Sequence, residues 1–172
     1  MRRVHIVGRK NSGKTTLIVD LVQYFTSAGF RVGTIKHTHH RHELDTPGKD
    51  SHRHRQAGAQ VVGILSQGLS AVFLPVAAQL DRTDRYAALA PSFADCDLVL
   101  VEGDSATSVA KIEVWRAATK SEPLAQSDAS IRAVVTDDTI EVAAPIWPRA
   151  DLQVVAGGIL RLCEVAVPGA RR

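Results

Sequence analysis

The chain is poor in the residues that announce several common designs. Of its 172 residues only Cys96 and Cys163 are cysteines, far apart and in no CxxC spacing. A disulfide framework and a thiolate zinc site are therefore unsupported, and both thiols are expected to be free and buried. Aromatic residues make up 5% of the chain and the arginines are scattered, which argues against a nucleic-acid surface despite the net charge of +3 and pI near 9.1. Phosphorylated small molecules account for that basic bias more simply. No apolar run approaches the roughly 20 residues of a membrane span; the longest lies near Ala71 to Ala78. Met1-Arg2-Arg3 leads into only a short apolar stretch before Gly8, too little for a secretory signal, so a cytoplasmic location with no membrane partner is expected. A guanine-reading Asn-Lys-x-Asp sequence is also missing, and Thr119-Lys120-Ser121-Glu122 is a loop-like echo of it.

What is present describes an ordinary globule: 45% apolar, 23% charged, mean hydropathy near zero. The length suits a single domain over residues 1–172. Its organising stretch is Gly8-Arg9-Lys10-Asn11-Ser12-Gly13-Lys14-Thr15-Thr16, which fits the phosphate-binding pattern Gly-x4-Gly-Lys-[Ser/Thr] at every constrained position. Chance supplies this pattern in fewer than about one in a hundred chains of this size. A short apolar run, Val4 to Val7, precedes it, and Leu17, Ile18, Leu21, Val22 and Phe25 follow at helical spacing. Strand, glycine loop and helix is the order phosphate binding requires. Gly8 and Gly13 allow the main chain to turn and approach an anion, so amides from Asn11 and Ser12 through Thr16 can face phosphate oxygens at a helix N-terminus. Lys14 is expected on the β- and γ-phosphates, Thr15 on Mg2+ and Thr16 near the α-phosphate.

Further along, Gly29 sits where a helix ends, Phe30 to Ile35 reads as a second strand, and Lys36-His37 opens a long polar loop through Ser51. A short basic helix over Ser51 to Ala59, strands at Gln60 to Leu65 and Ser70 to Leu74, and a helix within Pro75 to Ala94 are expected next. Leu98-Val99-Leu100-Val101 is a continuous apolar run ending in Glu102-Gly103, the mark of a buried parallel strand. Lys111 to Trp115 and Arg132 to Val135 are further strands, and Asp151 to Leu162 a closing helix. Alternating strands and helices predict an α/β fold: a P-loop NTPase-like, mostly parallel, doubly wound sheet with helices on both faces, and ligands beyond the carboxyl ends of the strands. The tips of the first strand, the second strand and the Glu102 strand are expected to share one crevice.

Glu102 stands where P-loop proteins put the carboxylate that orients Mg2+ or its water, and with Lys14 it is the candidate catalytic pair. Asp45 and Asp50, flanking Pro47-Gly48-Lys49, are further Mg2+ candidates, with Lys49 able to meet phosphate; an Asp-capped turn explains the same residues. Six of the seven histidines fall between His37 and His54. With Arg41, Lys49, Arg53 and Arg55 they suit a cationic rim for a pyrophosphate-bearing ligand or an acidic partner; a solvated loop or a metal site fits as well. Lys36 and His37 are anion-contact candidates on that rim. Asp137, just after the Val134-Val135 strand, is placed to accept from guanine, or to cap a turn.

Taken together, Gly8 to Leu17, Ile35 to His40, Asp45 to Ser51, Ala57-Gly58-Ala59 and Leu98 to Gly103 resemble the molybdopterin-guanine dinucleotide biosynthesis adaptor family, MobB, over roughly residues 3 to 140. The resemblance implies GTP and Mg2+ binding, weak GTPase activity at most, homodimerisation, and association with the guanylyltransferase that attaches GMP to molybdopterin, with molybdopterin itself a ligand. One departure is that Glu102-Gly103 continues into Asp104-Ser105, where the family commonly reaches a lysine through a bulky residue. The residues leave three rival readings open: a nickel-delivery GTPase using the histidines of 37–54, a small-molecule kinase, and a binding module with a vestigial nucleotide site.

Overall fold

The computed structural model describes residues 1–38, 43–74 and 82–167, with the backbone alone at 82–85. Contacts divide the chain into two compact units, Met1–Thr38 with Ala87–Arg172, and His39–Tyr86.

The larger unit is built on β1 (Arg3–Val7), β2 (Val32–Lys36), β5 (Leu98–Glu102), β6 (Lys111–Val114), β7 (Ile131–Val135) and β8 (Ile146–Trp147), in the order β2-β5-β1-β6-β7-β8. Every neighbouring pair is parallel, so all six carboxyl ends lie along one edge. The strands are short, and their side chains alternate between the two faces. On one face, Val4, Ile6, Leu98, Leu100, Ile112 and Val135 meet Leu17, Leu21 and Phe25 of α1 (Lys14–Ser27) and Val155 and Ile159 of α4 (Leu152–Leu162). Each of these buried Leu, Ile or Phe side chains contributes about 2 kcal/mol. On the other face Val7, Ile131 and Val134 pack against Leu124 and Ala125 of a 3-10 turn at Leu124–Gln126. A second 3-10 turn, Ala90–Phe93, sets Phe93 against Gly33.

Helix ends follow the sequence closely. Gly29 (φ +84) closes α1 in a Schellman motif, with Phe30 N donating to Phe25 O and Gly29 N to Thr26 O. That use of Phe30 explains why β2 begins at Val32 rather than at Phe30: its ring lies edge-on against Phe25, 5.4 Å between centroids. Asp151 caps α4 by accepting from Val154 N at 3.1 Å. The closing helix tolerates Gly158 for a packing reason, since a Cβ there would lie 2.4 Å from the Trp147 ring.

The second unit holds α2 (Asp50–Gln56) and an antiparallel hairpin of β3 (Val62–Leu65) and β4 (Ser70–Phe73). The guanidinium of Arg55, paired with Glu43, lies 5.8 Å from the Phe73 ring centroid. Val61, Leu65 and Val72, on the opposite hairpin face from buried Val62, are 54%, 86% and 59% exposed. Of the helix expected within Pro75 to Ala94, α3 (Arg82–Leu89) is helical and the 3-10 turn follows it; residues 75–81 lie outside the described residues. The strand β8 has no counterpart in the sequence reading. Cys96 and Cys163 are free and partly exposed rather than buried.

Candidate nucleotide site

The loop joining β1 to α1 has the backbone its glycines imply. Gly8, Asn11 and Gly13 take φ of +141°, +64° and +96°. A Cβ on Gly8 would lie 2.3 Å from Val114 O, so only glycine fits where the loop passes β6. Gly13 precedes the first residue of α1, whose first-turn amides have no intrahelical carbonyl to bond. The Ser12 amide is the exception to the expected set of inward-facing donors: it bonds Arg9 O at 3.3 Å, a turn within the loop. The Ser12 hydroxyl is a buried polar atom without a hydrogen-bond partner, which suits an anion cradle. Lys14 Nζ folds back over the loop and donates to Gly8 O at 2.9 Å and Arg9 O at 2.7 Å. Burial lowers its pKa and the nearby Lys36 adds to the fall, against the pull of Glu102.

The expected convergence of strand tips is found. β5 lies between β1 and β2, with Ile6 and Lys36 both in register with Glu102. Thr15 Oγ1 donates to Glu102 Oε1 at 3.0 Å. A hydroxyl and a carboxylate so joined are the hard oxygen ligands Mg2+ takes. Behind them, His37 N donates to Glu102 O at 2.9 Å and Gly103 N to Ile6 O at 2.9 Å. Gly103 and Asp104 both take left-handed backbone, φ +92° and +62°. Asp104, the departure from the family pattern, is 3% exposed, its carboxylate 3.9 Å from His37 Nδ1. The acid thus faces a histidine rather than solvent. His5, fully buried in β1, holds the same turn through Nδ1 to Gly103 O at 3.2 Å.

Asp45, Lys49 and Asp50 belong to the second unit. There Asp45 Oδ1 accepts from Thr46 N at 2.8 Å and Ser51 Oγ at 2.9 Å, the turn-capping geometry that the sequence kept open beside a metal role. Lys49 precedes α2 and Asp50 is its exposed first residue. His39, His40, Arg41 and His42 lie outside the described residues. Among the described residues no group of three or more His, Cys, Asp or Glu could hold a metal ion, and no helix is long and apolar enough to cross a membrane.

On the other side of the loop a cleft of about 430 Å³ is lined by Ser12, Gly13 and Thr16 and by the tips of β6, β7 and the segment after β8, including Arg116, Asp137 and Arg149. Asp137, which the sequence left open between a base contact and a turn cap, lines this cleft. Its Oδ1 accepts from Ala150 N at 2.9 Å. Asp138 Oδ2 accepts from Ala117 N at 2.8 Å, pinning the segment after β6 beside the cleft. Sequence reasoning missed Arg149, which is ion-paired with Asp20 of α1, because no motif or periodicity marks the segment that carries it.

A family model described as molybdopterin guanine dinucleotide synthesis protein B matches residues 3–137. The chain is 37% identical over 105 residues to the molybdopterin-guanine dinucleotide biosynthesis adapter protein of Escherichia coli (strain K12), covering 61% of this chain and 60% of that protein. To the Haemophilus influenzae protein of the same name it is 34% identical over 146 residues, 80% of this chain and 75% of the relative. Among solved structures, a MobB protein homolog from Bacillus stearothermophilus superposes with a TM-score of 0.63 at 27% identity, covering 95% of this chain and 99% of that one. A molybdopterin-guanine biosynthesis protein B gives 0.68 at 26% identity, covering 94% and 99%.

Proposed function

The chain belongs to the molybdopterin guanine dinucleotide synthesis protein B family, and on that premise we propose that it is a GTP-binding accessory protein of molybdenum cofactor maturation. In this reading it assists a partner guanylyltransferase in converting molybdopterin to molybdopterin guanine dinucleotide. The names of the curated relatives support the pathway. The observation that carries the nucleotide part is the Thr15 hydroxyl bonded to Glu102 at 3.0 Å beside a loop whose lysine is already drawn over it.

Lys14 and the amides of Gly13 to Thr16 would hold the phosphates, Thr15 and Glu102 would hold Mg2+, and Asp137 would meet the base. Mg2+, when bound, supplies positive charge against the β- and γ-phosphate oxygens. Lys36 and His37, beside Glu102 on the β2 tip, suit an anionic group of the pterin or the partner. Turnover should be slow, since among the described residues no glutamine lines the cleft to orient water. Self-association through the hairpin is favoured by the apolar face of Val61, Leu65 and Val72. We assign the protein to the cytoplasm.

Calorimetric titration with GTP, GDP and ATP, each with and without Mg2+, tests the reading. GTP should bind with a Mg2+-dependent gain and Lys14→Ala should remove at least about tenfold in affinity, a loss of about 1.4 kcal/mol. Undetectable binding of every nucleotide would overturn it.

A further inference from the structure

The cleft beside the phosphate loop crosses the strand tips in sheet order, from β1 over β6 and β7 to the residues after β8. Adjacent strands lie about 4.8 Å apart, so the β7 tip stands about 10 Å from the phosphate loop, the distance at which a nucleoside triphosphate carries its base. Two side chains of opposite charge lie there together. Asp137 follows β7 and Arg149 follows β8, and main-chain bonds fix their separation: Thr136 N donates to Trp147 O at 3.1 Å and Arg149 N to Thr136 O at 3.4 Å. The Asp137 carboxylate reaches across to Ala150 N, the residue next to Arg149. This uses one lone pair of one carboxylate oxygen, and the second oxygen together with the remaining lone pair of the first can accept from two donors of a ligand. Arg149 spends Nη2 on Asp20, which orients the planar group and leaves further N–H donors of its five.

We propose that Arg149 is the second half of a guanine reader, donating to O6 and N7 of the base while Asp137 accepts from N1–H and the 2-amino group. Guanine offers two acceptors along the O6/N7 edge, the pattern that arginine meets in a bidentate fashion; adenine replaces O6 by an amino donor, which opposes a guanidinium. Adenine also presents an acceptor at N1, which opposes the carboxylate. The pair therefore favours guanine at both ends, in a chain without the Asn-Lys-x-Asp sequence. Arg149 lies beyond the residues 3–137 matched by the family model. Asp20 is a positioning residue, and because it stands on the helix that begins at Lys14, it fixes the base reader to the phosphate-binding element.

This inference rests on the nucleotide reading above, and titration of the full chain with GTP, 7-deaza-GTP and ATP separates the two. The unmodified protein should bind 7-deaza-GTP, which lacks the N7 acceptor, about tenfold more weakly than GTP, and Arg149→Gln should abolish that difference and lower the GTP:ATP affinity ratio about tenfold or more. A GTP:ATP ratio unchanged in Arg149→Gln overturns the inference while leaving nucleotide binding intact. The analogue needs no substitution, so equal binding of GTP and 7-deaza-GTP by the unmodified chain overturns it even if the variant folds poorly. Absence of GTP binding by the unmodified chain removes the nucleotide reading itself.

Discussion

Replacing His5 by asparagine should flatten the acid limb of the stability curve. His5 is fully buried, its Nδ1 facing Gly103 O at 3.2 Å while Arg3 Nε donates to its Nε2 at 3.3 Å. Those two contacts are compatible only with the neutral ring protonated on Nδ1, because a second ring N–H would point at the Arg3 donor. Burial, with smaller contributions from Arg3 and His37, brings the pKa down from 6.5 to about 4, against the Gly103 carbonyl and Asp104. In the unfolded chain the ring regains its ordinary value, so between pH 6.5 and about 4 the unfolded state holds a proton that the folded state refuses. Stability therefore falls as pH drops through that window, at up to about 1.4 kcal/mol per pH unit, a total of about 3 kcal/mol. Above the window the effect vanishes, and below it both states are protonated and the loss stops growing. His5→Asn keeps a donor near the Nδ1 position and removes the titration. Urea unfolding followed by the fluorescence of Trp115 and Trp147 between about pH 7.5 and pH 4 should show the parent losing about 3 kcal/mol more than the variant. Parallel losses in the two proteins would refute the reasoning.

Glu102→Gln keeps an oxygen to accept from Thr15 but removes the charge, so the affinity gain that GTP draws from added Mg2+ should shrink about tenfold in calorimetry; an unchanged gain would remove Glu102 from the metal site. Gly158→Ala puts a methyl 2.4 Å from two Trp147 ring carbons and should destabilise the fold by about 1–3 kcal/mol despite the better helix propensity. A denaturant midpoint at or above the parent value would contradict that packing.

The elements that alternate cleanly in the sequence are where they were expected. Loop, α1 and β5 follow from Gly8 to Thr16, the spacing of Leu17 to Phe25, and the apolar run ending in Glu102. The sequence was silent about β8, two residues long and stabilised by its place beside β7, a tertiary effect that no local pattern carries. Polar residues inside β6 were equally opaque. Lys111 and Glu113 alternate with apolar neighbours in the sequence, yet both are buried. Lys111 is satisfied by Asp128 and Ser105 O, each at 2.6 Å. Glu113 accepts from the amides of Leu124 and Ala125 at 2.8 and 2.9 Å, and burial raises its pKa. Their partners come from the loops on either side of β6 and not from the strand pattern itself, so their burial becomes visible only in three dimensions. The second unit was legible in its hairpin and basic helix, whereas His39 to His42 fall outside the described residues.

The contact between Gly8 and the Val114 carbonyl gives the phosphate loop a backstop. With room for no more than a hydrogen on that flank, the loop has no slack towards β6, and whatever adjustment a bound anion demands must be taken up on the opposite flank, by Glu102 and the turn behind it.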